Sequence, residues 1–180
     1  MKTRFALTLV LFSMFACVAL ASRTDSGTWA VGGSLMVDTE TYVGTEVELE
    51  LNLGQYIETG FMAGGYGAVL NNDAFTSLAL GALGKYHFFD SGRSPFSPYV
   101  GGDIGVAYAS TDDAYVVEDS SNIALVLGVR FGMNFFLTEH AAIDTYLGLR
   151  VATDDVFTDD DDTLLRNSDV VLRIGLAFFF

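Results

Sequence analysis

Between Val47 and Leu53 the chain reads Val-Glu-Leu-Glu-Leu-Asn-Leu, every odd residue aliphatic and every even one polar. Residues two apart share one face of a β-strand, so this segment has one greasy face and one charged face. Similar alternation recurs at Trp29–Asp38, Leu78–Phe89, Tyr99–Ala109, Ile123–Phe136, Ala141–Ala152 and Ser168–Phe180. An eighth strand is predicted over Thr59–Leu70, where glycines and alanines blur the faces. Either Met62, Tyr66 and Leu70 turn outward there, or Phe61 and Val69 do. Asn71-Asn72-Asp73 supplies a turn signal behind it, and an even strand count puts both ends of a barrel on one side.

Residues 1–21 carry Lys2 and Arg4, then an apolar run closing on Ala19-Leu20-Ala21, the small-x-small pattern of a cleaved export signal. The expectation is a leader over 1–21 and one domain over 22–180. Cys17, the only cysteine, falls inside that leader, which leaves no thiol for disulfides, thiolate metal sites or nucleophilic catalysis. The formal charge of −14 becomes more negative without Lys2 and Arg4, a poor match to nucleic acid. Beyond residue 21 no stretch offers about 18 uninterrupted apolar residues, so a membrane-spanning helix is excluded. Nineteen glycines and 13% aromatic residues instead fit a sheet with close backbone approaches and rings at an interface.

The aromatics gather at one end of the strands: Trp29, Tyr56, Phe61, Tyr86, Phe88, Phe89, Phe96, Tyr99, Phe135, Phe136 and Phe178 to Phe180. In an up-and-down barrel all of these lie on the rim that holds the termini, as an interfacial girdle would. The opposite rim carries long acidic connections, Ser110–Ser121 and Thr153–Asn167, while turns such as Leu137–His140 are short. The nine residues Asp90–Pro98 break that asymmetry.

Over the whole of 22–180 the chain resembles the small eight-stranded outer-membrane β-barrel family that includes the membrane domain of OmpA and OmpX. The likeness rests on Tyr99-Val100-Gly101-Gly102-Asp103-Ile104-Gly105-Val106-Ala107-Tyr108, on Phe135-Phe136-Leu137 leading into Ala141-Ala142-Ile143-Asp144, and on a terminus in which Leu176, Phe178 and Phe180 look like the barrel-assembly signal. It implies an all-β, eight-stranded antiparallel up-and-down transmembrane β-barrel in a bacterial outer membrane. Both termini are then periplasmic, and the partners are membrane lipid, lipopolysaccharide and the assembly machinery. Such families share fold and location more than role.

If the apolar set faces lipid, the alternate set faces the lumen: Glu46, Glu48, Glu50, Lys85, Asp103, Arg130, Asp144, Arg150, Asp169 and Arg173. Eight strands enclose only enough width for side chains to fill, and an isolated ion there costs several kcal/mol, so these groups are expected to pair. Depth along the strands pairs Lys85 with Asp103, and Arg130 and Arg173 with Glu46 and Glu48. An interior plug is the expectation, with a polar file for ions as its rival.

Other chemistry is thinly supported. His87 and His140 both fall at the predicted periplasmic end, away from the outer lipid interface where a lipid-modifying barrel enzyme would act, and no Ser-His-acid spacing accompanies them. Asp154, Asp155, Asp159, Asp160, Asp161 and Asp162 supply calcium-type oxygens without the ordered spacing of a calcium loop, so a solvated, self-repelling loop is expected. Gly64-Gly65 and Gly101-Gly102 lie inside strands, with no helix following to form a phosphate site. The expected role is non-enzymatic and cofactor-free: a monomeric structural or surface-interaction protein meeting an extracellular ligand or surface. A narrow pore and a secreted, lipocalin-like soluble barrel are the alternatives.

Overall fold

In the computed structural model the described residues are 24–38, 46–71, 75–88, 94–111, 121–154, 156–158 and 165–180. The expected leader, most of the acidic connection after Thr111, and residues 155 and 159–162 lie outside them. The barrel strands are β1 (Trp29–Asp38), β2 (Glu46–Glu58), β3 (Phe61–Asn71), β4 (Phe75–His87), β5 (Phe96–Thr111), β6 (Ser121–Phe136) and β7 (Ala141–Ala152). Two short strands, β8 (Phe157–Thr158) and β9 (Leu165–Arg166), form a hairpin, and β10 (Ser168–Phe179) completes the barrel. Every neighbour pair is antiparallel, and β10 closes on β1.

Alternation decides which face is which. Leu80, Leu172 and Ile123 are about 70% exposed on the outside, whereas their alternate neighbours turn into a lumen filled with side chains. Leu51 and Ile174 lie on the outer face, so the inverted arrangement of a soluble binding barrel is not the one adopted. For β3 the ambiguity resolves toward Met62, Tyr66 and Leu70 inside and Phe61 and Val69 outside. Tyr66 has a large ring to bury, and the lumen-facing Gly81 and Gly105 leave it space.

The aromatic rim divides by parity. Trp29, Phe61, Tyr86, Phe88, Phe96 and Phe135 face out, while Tyr56, Tyr99, Phe136 and Phe179 close the lumen from within. Leu176 is exposed and Phe178 and Phe180 are half-buried. The two-residue Thr59-Gly60 turn needs glycine, because Gly60 has φ +81°, a region that costs an L side chain strain. In the connection after His87, the Pro95 carbonyl accepts the Phe136 N–H at 2.8 Å and the Pro98 carbonyl accepts the Phe88 N–H at 3.0 Å. The long proline-bearing stretch is thus tied down at its far end.

In the connection after β7, Thr153 and Asp154 are exposed, whereas Val156 and Phe157 turn inward and are buried against alanines and Leu70 at the mouth opposite the termini.

Gly132 on β6 makes room for the Tyr99 ring, which a Cβ at that position would strike. Gly132→Val is therefore expected to push Tyr99 aside and destabilise the barrel by about 1–3 kcal/mol, read from the urea midpoint in detergent. A midpoint equal to that of the parent chain would contradict this packing.

Candidate functional site: the ionic lumen

Inward positions of six strands bring five carboxylates and four cations into one column, counted among the described side chains. Nearest the termini, Lys85 Nζ donates to Asp144 Oδ2 at 2.9 Å, and the Tyr99 hydroxyl donates to Asp144 Oδ1 at 2.8 Å. The Lys85 ammonium also lies 4.7 Å from the centre of the Tyr99 ring.

At mid-depth Arg130 bridges two acids. Its Nε donates to Asp103 Oδ1 at 2.6 Å and its Nη1 to Glu50 Oε1 at 2.5 Å, with the Tyr146 hydroxyl at 3.2 Å from Nη1. Tyr146 donates in turn to Glu50 Oε2 at 3.0 Å, and Arg173 Nη1 reaches the same oxygen at 3.1 Å. The guanidinium of Arg130 is sandwiched between the Tyr66 and Tyr146 rings, 5.2 and 5.0 Å from their centres. Such stacking suits the planar, weakly hydrated arginine fork, which keeps its charge when removed from water.

Above this layer Arg150 grips Glu48 with two bonds, Nη1 to Oε1 at 3.0 Å and Nη2 to Oε2 at 3.2 Å, and also contacts Asp169. Arg173 contacts Glu48 as well. These buried pairs leave cavities of only about 20 and 10 Å³, room for single waters.

Two expected pairings are corrected. Lys85 does not meet Asp103; it crosses the lumen to Asp144. The register places Lys85 opposite Gly101 and Asp103 opposite Leu83, so the two are diagonal neighbours. Arg130, opposite Gly101 from the other side, takes Asp103 because its fork can hold Glu50 at the same time. Arg130 and Arg173 converge on Glu50, a carboxylate that depth counting does not pair with them. Glu46 is the first residue of β2, paired with Asp38, and its side chain lies outside the described part. Its neighbour Glu48 does join Arg173, and joins Arg150 too.

The tyrosine hydroxyls in the network were the part that charge patterning overlooked. Tyr146 has the lumen parity of Asp144 and Arg150, the one signal in the sequence that marks it. Depth counting along adjacent strands also cannot foresee contacts across the lumen.

Nearer the terminal rim, His87 Nδ1 lies 2.9 Å from Ser97 Oγ, and His87 Nε2 lies 3.0 Å from the Tyr56 hydroxyl. This serine–histidine contact was not foreseen from spacing. Both ring nitrogens are engaged, and all three residues are at most 3% exposed. Such a closed arrangement packs the rim. His140, in the turn after β6, sits with Nδ1 3.2 Å from the Phe179 carbonyl oxygen. Among the described residues no group of three or more His, Cys, Asp or Glu side chains could hold a metal ion, and the Asp159–Asp162 run lies outside them.

A closed barrel of this strand number, apolar outside and ionic inside, finds its match among protein families. The family model for the outer membrane protein beta-barrel domain matches residues 10–178. The chain belongs to that family. It is a bacterial outer-membrane protein, and its apolar outer face is the lipid-facing one. The barrel is similar to Neisserial surface protein A, at TM-score 0.59 and 19% identity over 85% of this chain and 96% of that one. It is also similar to the N-terminal β-barrel domain of Pseudomonas aeruginosa OprF, at TM-score 0.61 and 11% identity over 87% and 98%. The attachment invasion locus protein Ail of Yersinia pestis follows at TM-score 0.51 and 13% identity over 86% and 99%. At these identities the likeness shows the fold alone. No match emerges among curated protein sequences.

Arg130→Ala would remove the cation paired with Asp103 and one of the two paired with Glu50, carboxylates at most 2% exposed in their side chains. It is expected to cost about 3–5 kcal/mol, the range for breaking a buried pair by removing one partner, seen as a lowered urea midpoint of the refolded barrel. An unchanged midpoint would show that the cluster contributes nothing to holding the strands together.

Proposed function

We propose that this outer-membrane barrel is a non-conducting, non-enzymatic scaffold that fixes its outer connections in the membrane for contact with an external ligand or surface. The observation that supports it is the filled lumen: three successive layers of ion pairs and hydroxyls span the interior, with a single-water cavity of about 10 Å³ among them. A conducting barrel of this strand number would need a continuous wet path that these side chains occupy. Two proteins of the same fold carry surface or attachment in their names, Neisserial surface protein A and the attachment invasion locus protein. That lends support to a surface role for this chain.

In this reading residues 1–21 are a cleaved leader, the termini face the periplasm, and the acidic connections face outward. Lipopolysaccharide surrounds the outer rim, and the residues ending at Leu176, Phe178 and Phe180 engage the assembly machinery. Divalent cations bridging Asp159–Asp162 to that anionic surface would add a weak contact, since calcium favours several carboxylate oxygens.

Planar-bilayer recording tests the scaffold reading. The refolded barrel is expected to leave the membrane at baseline, without reproducible unitary steps. Regular steps that disappear when the protein is omitted would establish the pore instead.

A further inference from the structure

Above the ionic column the mouth opposite the termini is apolar. Leu70, Ala107, Ala109, Ala124 and Val126 face inward there, none more than 6% exposed. A lumen that opens to water is ordinarily polar, so this cup needs a cover. The cover is the chain itself: Val156 is fully buried and Phe157 is 6% exposed, with the Phe157 ring 4.8 Å from the guanidinium carbon of Arg150. A cavity of about 20 Å³ remains in the cup, bordered by Glu48, Arg150 and Ser77.

We propose that this cup is a binding site for a small neutral aromatic solute, held shut by Phe157 acting as an internal stand-in. The occupant already present shows what the cup accepts, an aromatic ring against alanine walls and the face of a guanidinium. Arg150 is already matched by Glu48 and Asp169, so its charge is spent and the site favours a neutral ring over an acid. Ser77, 8% exposed, lines the cavity and gives a polar tip of the solute a hydroxyl to meet.

Among the described residues the hairpin pairs Phe157 with Arg166 and Thr158 with Leu165, and at its base the Ala152 N–H donates to the Asn167 carbonyl at 2.7 Å. Near its base, the Thr153 N–H donates to the Leu125 carbonyl at 3.0 Å, and Thr153 Oγ1 accepts the Leu125 N–H at 3.1 Å. Short hairpins are marginally stable on their own, so local release of Phe157 from the cup is expected to cost less than unfolding the strands beneath it. The inference goes beyond the scaffold role and stands without it, because a cup closed below by ion pairs binds without conducting.

Thiol accessibility tests it. In a Cys17→Ser background of the full chain, Ser77→Cys carries the sole thiol, and methyl methanethiosulfonate labelling is followed by mass in membranes. Labelling is expected to be slow with Phe157 in place and at least about tenfold faster in Phe157→Ala, as for removal of a local closure. Indole is expected to slow labelling of the Phe157→Ala protein and to leave a Ser168→Cys control at the rim unchanged. Thr153→Ala loosens only a tether and is expected to accelerate labelling by a smaller factor, which keeps the test open if Phe157→Ala does not fold. Equal rates with and without Phe157 would overturn the stopper. Acceleration without protection by indole would overturn the aromatic site.

Discussion

Arg130 reaches from β6 to Asp103 on β5, Glu50 on β2 and Tyr146 on β7, and Arg173 and Arg150 carry the same carboxylate layer on to β10. Each of these groups is in the lumen only because its strand has one parity. A one-residue slip in any pairing would turn its charges into hydrocarbon and its aliphatic side chains into the ion cluster. A charge deep in the bilayer costs about 2–4 kcal/mol on a barrel's lipid face, and its former partner would be left buried and unpaired as well. The network thus penalises wrong registers from both sides of the wall. That constraint acts between strands far apart in sequence, such as β2 and β10, which local turns cannot align.

Strand positions and facing were largely legible because the barrel wall separates two solvents of opposite character. β1 and β7 begin and end at the residues where the alternation does. Only β3 was ambiguous, since Ala63, Gly64, Gly65 and Gly67 carry too little side chain to favour either face. The list of lumen charges was legible for the same reason; their partners were not. Partnering depends on reach across the lumen and on which residues leave space, and a run of letters shows neither. Gly128 is an example: it looks like a packing glycine, yet a Cβ there would strike the Asp103 carboxylate, so its absence helps decide where Asp103 can sit.

The connection after β7 was read by its aspartates, and charge density proved a poor guide to its buried residues. Val156 and Phe157, like Leu164 and Leu165, are apolar interruptions in an acidic stretch, and an alanine-lined mouth lies within reach of the first pair. The signal was available in two places, one in the connection and one on the inward positions of β5 and β6. It acquires meaning only when the barrel closure brings them together.

The lumen is therefore stratified: an aromatic floor of Tyr56, Phe136 and Phe179, a column of ion pairs, and an apolar ceiling under Val156 and Phe157. The strata resist opening for different reasons. Dry rings and alanines exclude ions because an ion crossing them would shed water with nothing to replace it. The ion-pair layer resists because its opposite charges already pair with one another across six strands, so parting them exposes several charges together. Any path along the axis must disrupt both kinds of layer, whereas the ceiling can yield alone while the layer below stays intact. A barrel built this way can change its outer face without losing the interior that sets its register.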